Sequence, residues 1–326
     1  MRSLRSTKNE KKVTTSLVDQ GIPNLKNDQI LIRAEYSSLN YKDALGVTGK
    51  GQIFKVLPIT GGIDVAGTVE KSNSPRFNKG EKVLITGCGL GETRDGGYSE
   101  YVVDHEKNVV KIPAGLSTRD VMIYGTAGFT AALCVERMMQ NGQIPEMGPI
   151  LVTGASGGVG QFAVSFFSQL GFEVHALTSK QKLISHLKKI GANEVILTSQ
   201  FELGNKPLES VRFGGAVDNL GGDTLSRILA HTQLWGNVAC VGLAASHELH
   251  TTVMPLILRG VSLLGISSNN TNWDLRIKIW QRLSSDLKPK DLDSFISDTI
   301  GLNEIVSTAE NMIAQKTYGR TIVKIQ

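Results

Sequence analysis

Continuous apolar runs alternate with segments of helical periodicity between about residue 120 and residue 266. The runs that we predict as strands are residues 149–153, 172–177, 194–197, 215–218, 236–241 and 261–266. Helices are predicted at residues 161–170, 180–190 and 223–230. Apolar strands that alternate with helices are typical of a parallel sheet covered on both faces. Six such strands predict an α/β fold with a doubly wound parallel sheet, the Rossmann type.

The chain on either side of this region has a different pattern. Residues 29–34 and 80–85 look like short strands between turn residues, and residues 61–70 are rich in glycine. The tail is predicted to hold two helices and a last strand at residues 320–325, which we expect to return to the first domain. The sequence therefore predicts a β-rich, barrel-like domain of residues 1–121 and 267–326, with a Rossmann domain of residues 122–266 inserted in it.

Composition and length add little that is unusual. Hydrophobic residues make up 40% and charged residues 20%, as in ordinary globular proteins, and 326 residues suit two domains. We find no run of about 18 apolar residues and no apolar stretch behind the basic N-terminus, so we expect neither a spanning helix nor a secretory signal. Cys88, Cys134 and Cys240 lie far apart, which argues against a disulfide framework or a structural zinc site and fits the reducing cytoplasm.

The net charge is +5 and the pI is about 9.0, which a polyanionic ligand or simply a solvated basic surface would explain. We favour the solvated surface. Five basic residues are clustered at the N-terminus: Arg2, Arg5, Lys8, Lys11 and Lys12. No aromatic residues are interleaved with them for base stacking, so we expect a frayed or edge-strand terminus and no nucleic-acid partner.

A glycine-rich turn, residues 154–160, follows the first predicted strand and opens a predicted helix. Such a turn lets the backbone approach a pyrophosphate at the positive end of the helix. In the usual G-x-G-x-x-G frame the residues are Ala155, Gly157 and Gly160, so alanine stands at the first position. The strand and helix on either side favour dinucleotide binding over a turn kept for packing. The residues that we predict to contact the cofactor here are Ser156, Gly157, Gly158 and Val159.

The end of the second strand indicates which nicotinamide cofactor binds. An Asp or Glu there would hold the ribose 2′-hydroxyl of NAD, whereas cations and hydroxyls suit the 2′-phosphate of NADP. Thr178, Ser179 and Lys180 occupy this place, Lys182 follows, and no acidic residue is near. We therefore predict that NADPH binds through Thr178, Ser179 and Lys180. The alternative is that they are only surface residues, with Ser179 as a helix N-cap.

The run of residues 38–45, which contains Asn40-Tyr41-Lys42-Asp43, resembles the signature of the quinone-oxidoreductase branch of the medium-chain dehydrogenase/reductase superfamily. Together with other segments it looks more closely like the bacterial acrylyl-CoA reductases. These other segments are residues 48–51, 62–64, 125–131, 152–160 and 254–259. The resemblance extends from about residue 28 to the C-terminus. It implies that the β-rich domain is a GroES-like catalytic domain.

The resemblance also implies an activity and a partner. The activity is NADPH-dependent reduction of the carbon–carbon double bond of acryloyl-CoA to propanoyl-CoA. The partner is a second copy of the chain, paired through the edges of the nucleotide sheets. Two other activities stay open: reduction of quinones or reactive enones, and NADPH binding without catalysis.

Zinc-dependent members of the superfamily carry a cysteine where Asn40 stands and Gly-His-Glu where Gly62-Ile63-Asp64 stands. Asn40 and Ile63 cannot form a thiolate–imidazole site, so we expect no metal. The segment His247-Glu248-Leu249-His250 has a different spacing from His-Glu-x-x-His and is interpreted as surface loop.

Reduction of an enone requires a hydrogen-bond donor for the carbonyl oxygen and a proton for the α-carbon. Tyr41 is the candidate proton donor, and solvent is the alternative source. Asn40 is expected to orient the substrate carbonyl or the carboxamide. Asp43 is expected to orient its neighbours, because an ordinary carboxylate is ionised at pH 7. A helix-capping role is the alternative for Asp43.

The family pattern places further residues near the cofactor. Thr126 is expected to approach the nicotinamide or the phosphates. Arg320 is expected to touch the cofactor or the CoA phosphates, and the alternative is an ordinary surface cation. Residues that follow the ends of the last three strands are expected to line the cleft beyond those ends. They are Asn219, Leu243, Ser267 and Asn269.

Overall fold

The computed structural model describes residues 1–9 and 12–325, and the chain divides into two compact units. The first unit comprises Met1–Thr126 and Asn269–Gln326, and the second comprises Ala127–Ser268. Lys11, a member of the basic N-terminal cluster, lies outside the described residues.

The first unit begins with two antiparallel sheets. Its N-terminal elements are β1 (Arg2–Asn9), β2 (Lys12–Asp19), β3 (Gln29–Leu39), α1 (Tyr41–Val47), β4 (Ile59–Thr60), β5 (Asp64–Ser72), β6 (Lys82–Thr86), β7 (Tyr101–His105) and β8 (Val110–Lys111). Helix α2 (Thr118–Gln140) begins in the first unit and continues into the second. One sheet has the order β2-β1-β4. Strand β1 pairs with β2 along its whole length, so the predicted frayed terminus is wrong for the described residues. Of the basic residues that the structure describes, Arg2, Arg5 and Lys8 lie on β1. Lys12 lies on β2, which is an edge strand, as the other alternative predicted.

The second unit is a parallel six-stranded sheet. Its elements are β9 (Ile150–Val152), α3 (Gly158–Gln169), β10 (Val174–Thr178), α4 (Ile184–Lys189), β11 (Glu194–Leu197), β12 (Phe213–Asp218), α5 (Gly222–His231), β13 (Thr232–Cys240), α6 (Met254–Leu258) and β14 (Ser262–Gly265). All neighbours pair in parallel in the order β11-β10-β9-β12-β13-β14. Counted along the sequence this is the order 3-2-1-4-5-6 of the doubly wound fold, so the predicted fold class is confirmed.

The C-terminal part of the chain completes the first unit. It contains α7 (Trp273–Leu283), β15 (Ile296–Ile300), α8 (Ile305–Ile313) and β16 (Arg320–Lys324). Strand β16 pairs antiparallel with β3 and parallel with β15, which gives the order β15-β16-β3-β5-β6-β8, with β7 also paired to β3. The last strand thus returns to the first unit, as expected. Strand β15 was not predicted, because its middle residues are polar and partly exposed at the edge of the sheet.

Each unit has its own apolar core. In the first unit the inward faces of β3, β5 and β6 supply Ile30, Val65 and Val83, all fully buried. In the second unit Leu151 of β9 and Val238 of β13 pack with side chains of α5. The central strands β9 and β12 are buried along their whole length, which explains why their apolar runs are continuous rather than alternating.

The second predicted helix of the nucleotide unit differs from the structure at its start. A short 3-10 turn, Gln181–Leu183, precedes α4, and its N-cap residue is Lys180. Ser179 is therefore not the N-cap residue that the sequence left open as an alternative. Among the described residues, no helix is both long enough and apolar enough to cross a membrane.

Candidate active site

Helix α1 begins directly after β3, and its first turn is closed by Asp43. The backbone N–H of Asn40, the N-cap residue, donates to Oδ2 of Asp43 at 3.0 Å. A carboxylate three residues after the N-cap is a common way to satisfy a free backbone donor at a helix start. This is the capping contact that the sequence left open for Asp43.

The carboxyl group of Asp43 also has a long-range partner. Its Oδ1 accepts from the backbone N–H of Ile63 at 2.9 Å, and the residue is only 2% exposed. Burial raises the pKa of Asp43 to about 7, and the nearby negative charge of Asp64 adds to the increase. The expectation that Asp43 is an ordinary, ionised carboxylate at neutral pH is therefore wrong, because that expectation ignored desolvation.

Asp64, the first residue of β5, accepts four hydrogen bonds. Its Oδ2 accepts from Ser38 Oγ at 2.6 Å, from Asn40 Nδ2 at 2.8 Å and from the backbone N–H of Thr126 at 2.8 Å. Its Oδ1 accepts from Thr126 Oγ1 at 2.6 Å. Asp64 is fully buried, and these donors replace the water that burial removes. The sequence pointed to Asp64 only as part of the Gly62-Ile63-Asp64 segment and not as a site residue.

The side chain of Asn40 connects the two carboxyl groups to a guanidinium. Nδ2 donates to Asp43 Oδ2 at 3.1 Å as well as to Asp64, and Oδ1 accepts from Arg320 Nη1 at 3.1 Å. Both ends of the amide therefore have partners within this group of side chains. We call Asn40, Asp43, Asp64 and Arg320 the buried polar cluster.

Arg320, the first residue of β16, is 3% exposed, so the alternative of an ordinary surface cation is wrong. Its Nε donates to the carbonyl oxygen of Ile123 at 2.8 Å. Burial lowers the pKa of Arg320, and the charges of Asp64 and Asp43 oppose that effect. Its Nη2 has no hydrogen-bond partner among the described residues.

Helix α2 is interrupted at Gly125, which has φ +50° and ψ −155°. A Cβ at this position would lie 2.6 Å from Arg320 Nη2, 2.7 Å from Asp64 Oδ2 and 2.8 Å from Ser38 Oγ. Only glycine fits both this backbone conformation and this close approach. At this interruption the backbone N–H and the hydroxyl of Thr126 lie within hydrogen-bond distance of the Asp64 carboxylate.

Tyr41 lies outside the buried polar cluster. It is the first residue of α1 and is 43% exposed, although it stands between the buried Asn40 and Asp43 in the same helix start. The next residue, Lys42, pairs with Glu92 at 2.9 Å. The segment thus presents one phenol to solvent and places two polar side chains in the interior.

The glycine-rich turn lies in the second unit, between β9 and α3. Gly154 has φ +57°, and a Cβ on Gly160 would lie 2.4 Å from the carbonyl oxygen of Gly154. Ala155, whose φ is not positive, is buried, and its N–H donates to the carbonyl oxygen of Leu177. Alanine is therefore compatible with the first position of the frame, because the left-handed conformation falls on Gly154.

The turn fits a pyrophosphate. Gly157 is the N-cap residue of α3, and a Cβ there would meet only the Gly154 carbonyl oxygen, at 3.3 Å. Ser156 is buried, and its carbonyl oxygen accepts from Gln161 Nε2. The N–H groups of Gly158 and Val159 belong to the first turn of α3, where backbone donors lack helical acceptors and attract anions.

The end of β10 carries hydroxyl and ammonium groups. Thr178 is buried, and its Oγ1 accepts from the backbone N–H of Lys180 at 3.1 Å, while Ser179 is exposed. Partial burial lowers the pKa of Lys180, and the charge of Lys182 lowers it further. An anion bound beside Lys180 and Lys182 would favour the charged form of both ammonium groups and so raise their pKa again. The residues present therefore fit a 2′-phosphate.

The other residues predicted to contact the cofactor lie in different loops, after β12, β13 and β14. Asn219, after β12, donates from its backbone N–H to Thr153 Oγ1 and from Nδ2 to the Thr153 carbonyl oxygen. Leu243, after β13, is 61% exposed, and Ser267, after β14, is exposed. Asn269 belongs to the first unit, where its Oδ1 accepts from the N–H of Gly89 at 3.1 Å.

A search of residues 1–9 and 12–325 finds no group of three or more His, Cys, Asp or Glu side chains that could hold a metal ion. Glu248 and His250 lie in the loop after β13, with side chains 61% and 75% exposed and 3.8 Å apart.

Two protein families match this chain. Residues 26–114 match the alcohol dehydrogenase GroES-like domain, and residues 158–285 match the zinc-binding dehydrogenase family. The chain is 43% identical to the "Putative quinone oxidoreductase YhfP" of Bacillus subtilis, over 99% of this chain and 98% of that protein. It is also 43% identical to the "Probable acrylyl-CoA reductase AcuI" of Escherichia coli, over 92% of each.

Two solved structures are similar throughout. The yhdH oxidoreductase of Salmonella enterica, crystallised in complex with NADP, aligns with a TM-score of 0.96 at 40% identity and covers 100% of both chains. YhfP of Bacillus subtilis, crystallised with NAD bound, aligns with a TM-score of 0.95 at 42% identity over 99% of both chains.

The fold, the glycine-rich turn and these similarities define an NAD(P)-dependent oxidoreductase with a GroES-like domain and a Rossmann-type sheet. The chain belongs to the medium-chain dehydrogenase/reductase family, in the group that contains quinone oxidoreductases and acrylyl-CoA reductases. The resemblance inferred from the Asn40-Tyr41-Lys42-Asp43 segment is confirmed at this level.

We predict that Asp43 makes the stability of the protein fall as the pH rises. Its folded-state pKa of about 7 lies above the ordinary value of 3.8, so the folded chain holds this proton more tightly than the unfolded chain. Its contribution to stability is fully present below the unfolded-state pKa and is lost as the pH rises through the folded-state value. Between about pH 5 and pH 8 the free energy of unfolding, relative to that of Asp43→Asn, should fall by about 2 kcal/mol.

Urea unfolding of both proteins across this range measures the difference. Groups that titrate in the same way in both proteins do not contribute to the difference between their free energies of unfolding. The loss of the capping oxygen in Asp43→Asn shifts this difference by an amount that does not depend on pH. A difference that does not change with pH would show that Asp43 carries no raised pKa.

Proposed function

We propose that this chain catalyses the NADPH-dependent reduction of the carbon–carbon double bond of acryloyl-CoA to propanoyl-CoA. The main support is the buried polar cluster beside an exposed tyrosine. Asn40 stands where zinc-dependent relatives carry a cysteine, and Asp64 stands at the last residue of their Gly-His-Glu segment. Here Asn40 donates to Asp64, and the Tyr41 phenol is exposed. The similarity to the Escherichia coli protein also favours this substrate.

The chemistry divides between the cofactor and the chain. Bound NADPH would supply a hydride from its nicotinamide C4 to the β-carbon of the alkene. The chain has to hold the thioester oxygen, where negative charge builds, and to provide a proton for the α-carbon. In this proposal residues 1–121 and 267–326 form the catalytic domain, and residues 122–266 form the nucleotide-binding domain.

We propose NADPH as the cofactor, because the charges of Lys180 and Lys182 act on each other and no acidic residue directly follows β10. The Salmonella relative was crystallised with NADP, and YhfP was crystallised with NAD, so the choice requires a direct test. The residues that we propose around the cofactor are Tyr41, Thr126, Ser156, Gly157, Gly158, Val159, Thr178, Ser179, Lys180, Asn219, Leu243, Ser267, Asn269 and Arg320.

Lys180→Ala should weaken NADPH binding by about 10- to 100-fold, because a charge-assisted hydrogen bond to the 2′-phosphate is lost. The affinity for NADH, which has no 2′-phosphate, should change by less than about twofold. Titration of reduced-nicotinamide fluorescence gives both dissociation constants. Lys188→Ala removes an exposed cation from α4 and is the matched control. Equal weakening of NADPH and NADH by Lys180→Ala would contradict a phosphate contact.

We propose Tyr41 as the proton donor, because its phenol is accessible at the start of α1 while the neighbouring Asn40 and Asp43 are buried. Tyr41→Phe should lower kcat by at least about tenfold, the smaller end of general acid catalysis. The NADPH dissociation constant should stay within about twofold of the wild-type value. Tyr101→Phe, which removes a hydroxyl from strand β7, is the control. Unchanged turnover would assign the proton to solvent instead.

The substrate is tested by comparing NADPH oxidation with acryloyl-CoA and with a soluble quinone at equal concentrations. We expect the higher kcat/KM with acryloyl-CoA. Faster turnover of the quinone would replace the proposed activity by NADPH:quinone or enone reduction, which uses the same cofactor. NADPH binding without turnover of either compound would indicate a non-catalytic nucleotide-binding protein.

We also propose that the chain forms a homodimer through the edges of the nucleotide sheets. Strand β14 is at the end of its sheet and pairs only with β13, so one of its sides offers unpaired backbone groups. Large apolar side chains are exposed on the same unit: Trp235 is 73%, Ile257 71% and Leu258 57% exposed. Exposed apolar side chains and a free strand edge on the same unit suit a second copy of the same sheet.

A further inference from the structure

We propose that Gln161 is a positioning residue for the cofactor. Its side chain holds the carbonyl group of Ser156 in the protein interior and so keeps the glycine-rich turn in the conformation that accepts a diphosphate. Gln161 belongs to α3 and is not one of the residues proposed to contact the cofactor. The inference rests on the dinucleotide cofactor of the proposed function, and every residue that it uses lies in the second unit.

The peptide group between Ser156 and Gly157 is held at both ends. The carbonyl oxygen of Ser156 accepts from Gln161 Nε2 at 3.1 Å, and the N–H of Gly157 donates to the carbonyl oxygen of Gly154 at 2.9 Å. Gln161 is 1% exposed and Ser156 is 7% exposed. The Ser156 carbonyl therefore points into the interior and not toward the solvent from which an anion approaches.

The direction of this carbonyl matters because a phosphate is negatively charged. The backbone N–H groups of Gly158 and Val159, in the first turn of α3, attract a diphosphate. A carbonyl oxygen pointing to the same place would repel it, because that oxygen carries partial negative charge and can only accept. Peptide groups next to glycine rotate easily, so a side chain is needed to fix this one. Gln161 supplies the necessary donor.

The orientation of the Gln161 amide follows from its two partners. A carbonyl oxygen can only accept, so the amide nitrogen must face Ser156 and the amide oxygen must face away from it. That oxygen, Oε1, lies 3.0 Å from Nε2 of His186 in α4. Nε2 of His186 must therefore carry a hydrogen and donate it. Rotation of the amide would break both hydrogen bonds, so His186 fixes the direction of the Gln161 donor.

Removal of the amide should change the turn before any cofactor binds. Gln161→Met keeps the length of the side chain and removes both hydrogen bonds. A buried carbonyl without a donor is unfavourable, so the peptide group after Ser156 would rotate toward water. Binding of a diphosphate would then have to reverse this rotation, and the affinity would fall by the free energy that the reversal requires.

Two nucleotide fragments separate the two phosphate positions. ADP carries the diphosphate without a 2′-phosphate, whereas adenosine 2′-monophosphate carries the 2′-phosphate without the diphosphate. The proteins are wild type, Gln161→Met and Gln169→Met. The last is the matched control, because Gln169 lies at the other end of α3 and donates to Ser165 Oγ at 2.8 Å. Dissociation constants come from competition with NADPH, followed by reduced-nicotinamide fluorescence without substrate.

We expect Gln161→Met to weaken binding of ADP and of NADPH by about tenfold. Binding of adenosine 2′-monophosphate should change by less than about twofold, because the backbone N–H of Lys180 is held by Thr178 Oγ1 without Gln161. Gln169→Met should bind both fragments like the wild type. Equal weakening of the two fragments by Gln161→Met, or no weakening of ADP, would overturn the proposal.

His186→Phe provides a second test of the same contact. It keeps a planar ring, removes the Nε2–H donor and leaves Gln161 in place. We expect about threefold weaker binding of ADP, and no further loss when His186→Phe is added to Gln161→Met, because His186 acts through Gln161. An additive loss would remove His186 from this role. If Gln161→Met does not fold, His186→Phe decides alone, and an unchanged affinity for ADP would then overturn the proposal.

Failure of the proposed cofactor gives a different result. A wild type that binds neither ADP nor NADPH nor NADH would contradict the dinucleotide cofactor itself. If the wild type binds ADP and Gln161→Met binds it equally well, the cofactor stands and only the role of Gln161 fails. The diphosphate is common to NADPH and NADH, so a wild type that binds only NADH is tested in the same way with NADH as the fluorescent ligand.

Discussion

The first unit depends on a single buried carboxylate. Asp64 accepts four hydrogen bonds from three parts of the chain: Ser38 at the end of β3, Asn40 before α1, and Thr126 after the interruption of α2. A fully buried carboxylate is costly unless donors surround it, and each donor here is fixed by its own element. The position of Asp64 at the start of β5 therefore determines where the other three residues lie. The glycine at position 125 is part of the same arrangement, because any side chain there would collide with the cluster.

Electrostatics then distinguishes two acidic residues that look alike in the sequence. Asp64 has Arg320 and four donors, whereas Asp43 is buried with capping contacts and with a negative neighbour. Burial and the negative charge of Asp64 thus raise the pKa of Asp43 to about 7. Asn40 connects the two because its amide donates to both carboxyl groups and accepts from the guanidinium.

The second unit follows more general rules. A parallel sheet in the order 3-2-1-4-5-6 brings the first βα turn and the end of the neighbouring strand to the same edge. Gly154 and Gly160 are needed there for backbone conformation and close packing, whereas Ala155 is tolerated at a position that is often glycine. Lys180 and Lys182 follow the next strand, where a second anionic group of a dinucleotide would lie.

The sequence by itself determined the doubly wound sheet, the glycine-rich turn, the last strand and the family, because each leaves a local pattern: a continuous apolar run, a glycine at a tight turn, or a motif. The sequence also offered helix capping as an alternative role for Asp43, and its contact with Asn40 fits that role because the two residues are three positions apart at a helix start. Only the tertiary structure decided that Arg320 is buried against Asn40, 280 residues away, that Asp64 is shared by Ser38 and Thr126, and that Asp43 has a raised pKa. Hydrogen bonds between distant residues and the loss of water around a carboxyl group leave no periodic signal in the chain, because they exist only after the strands and helices have packed.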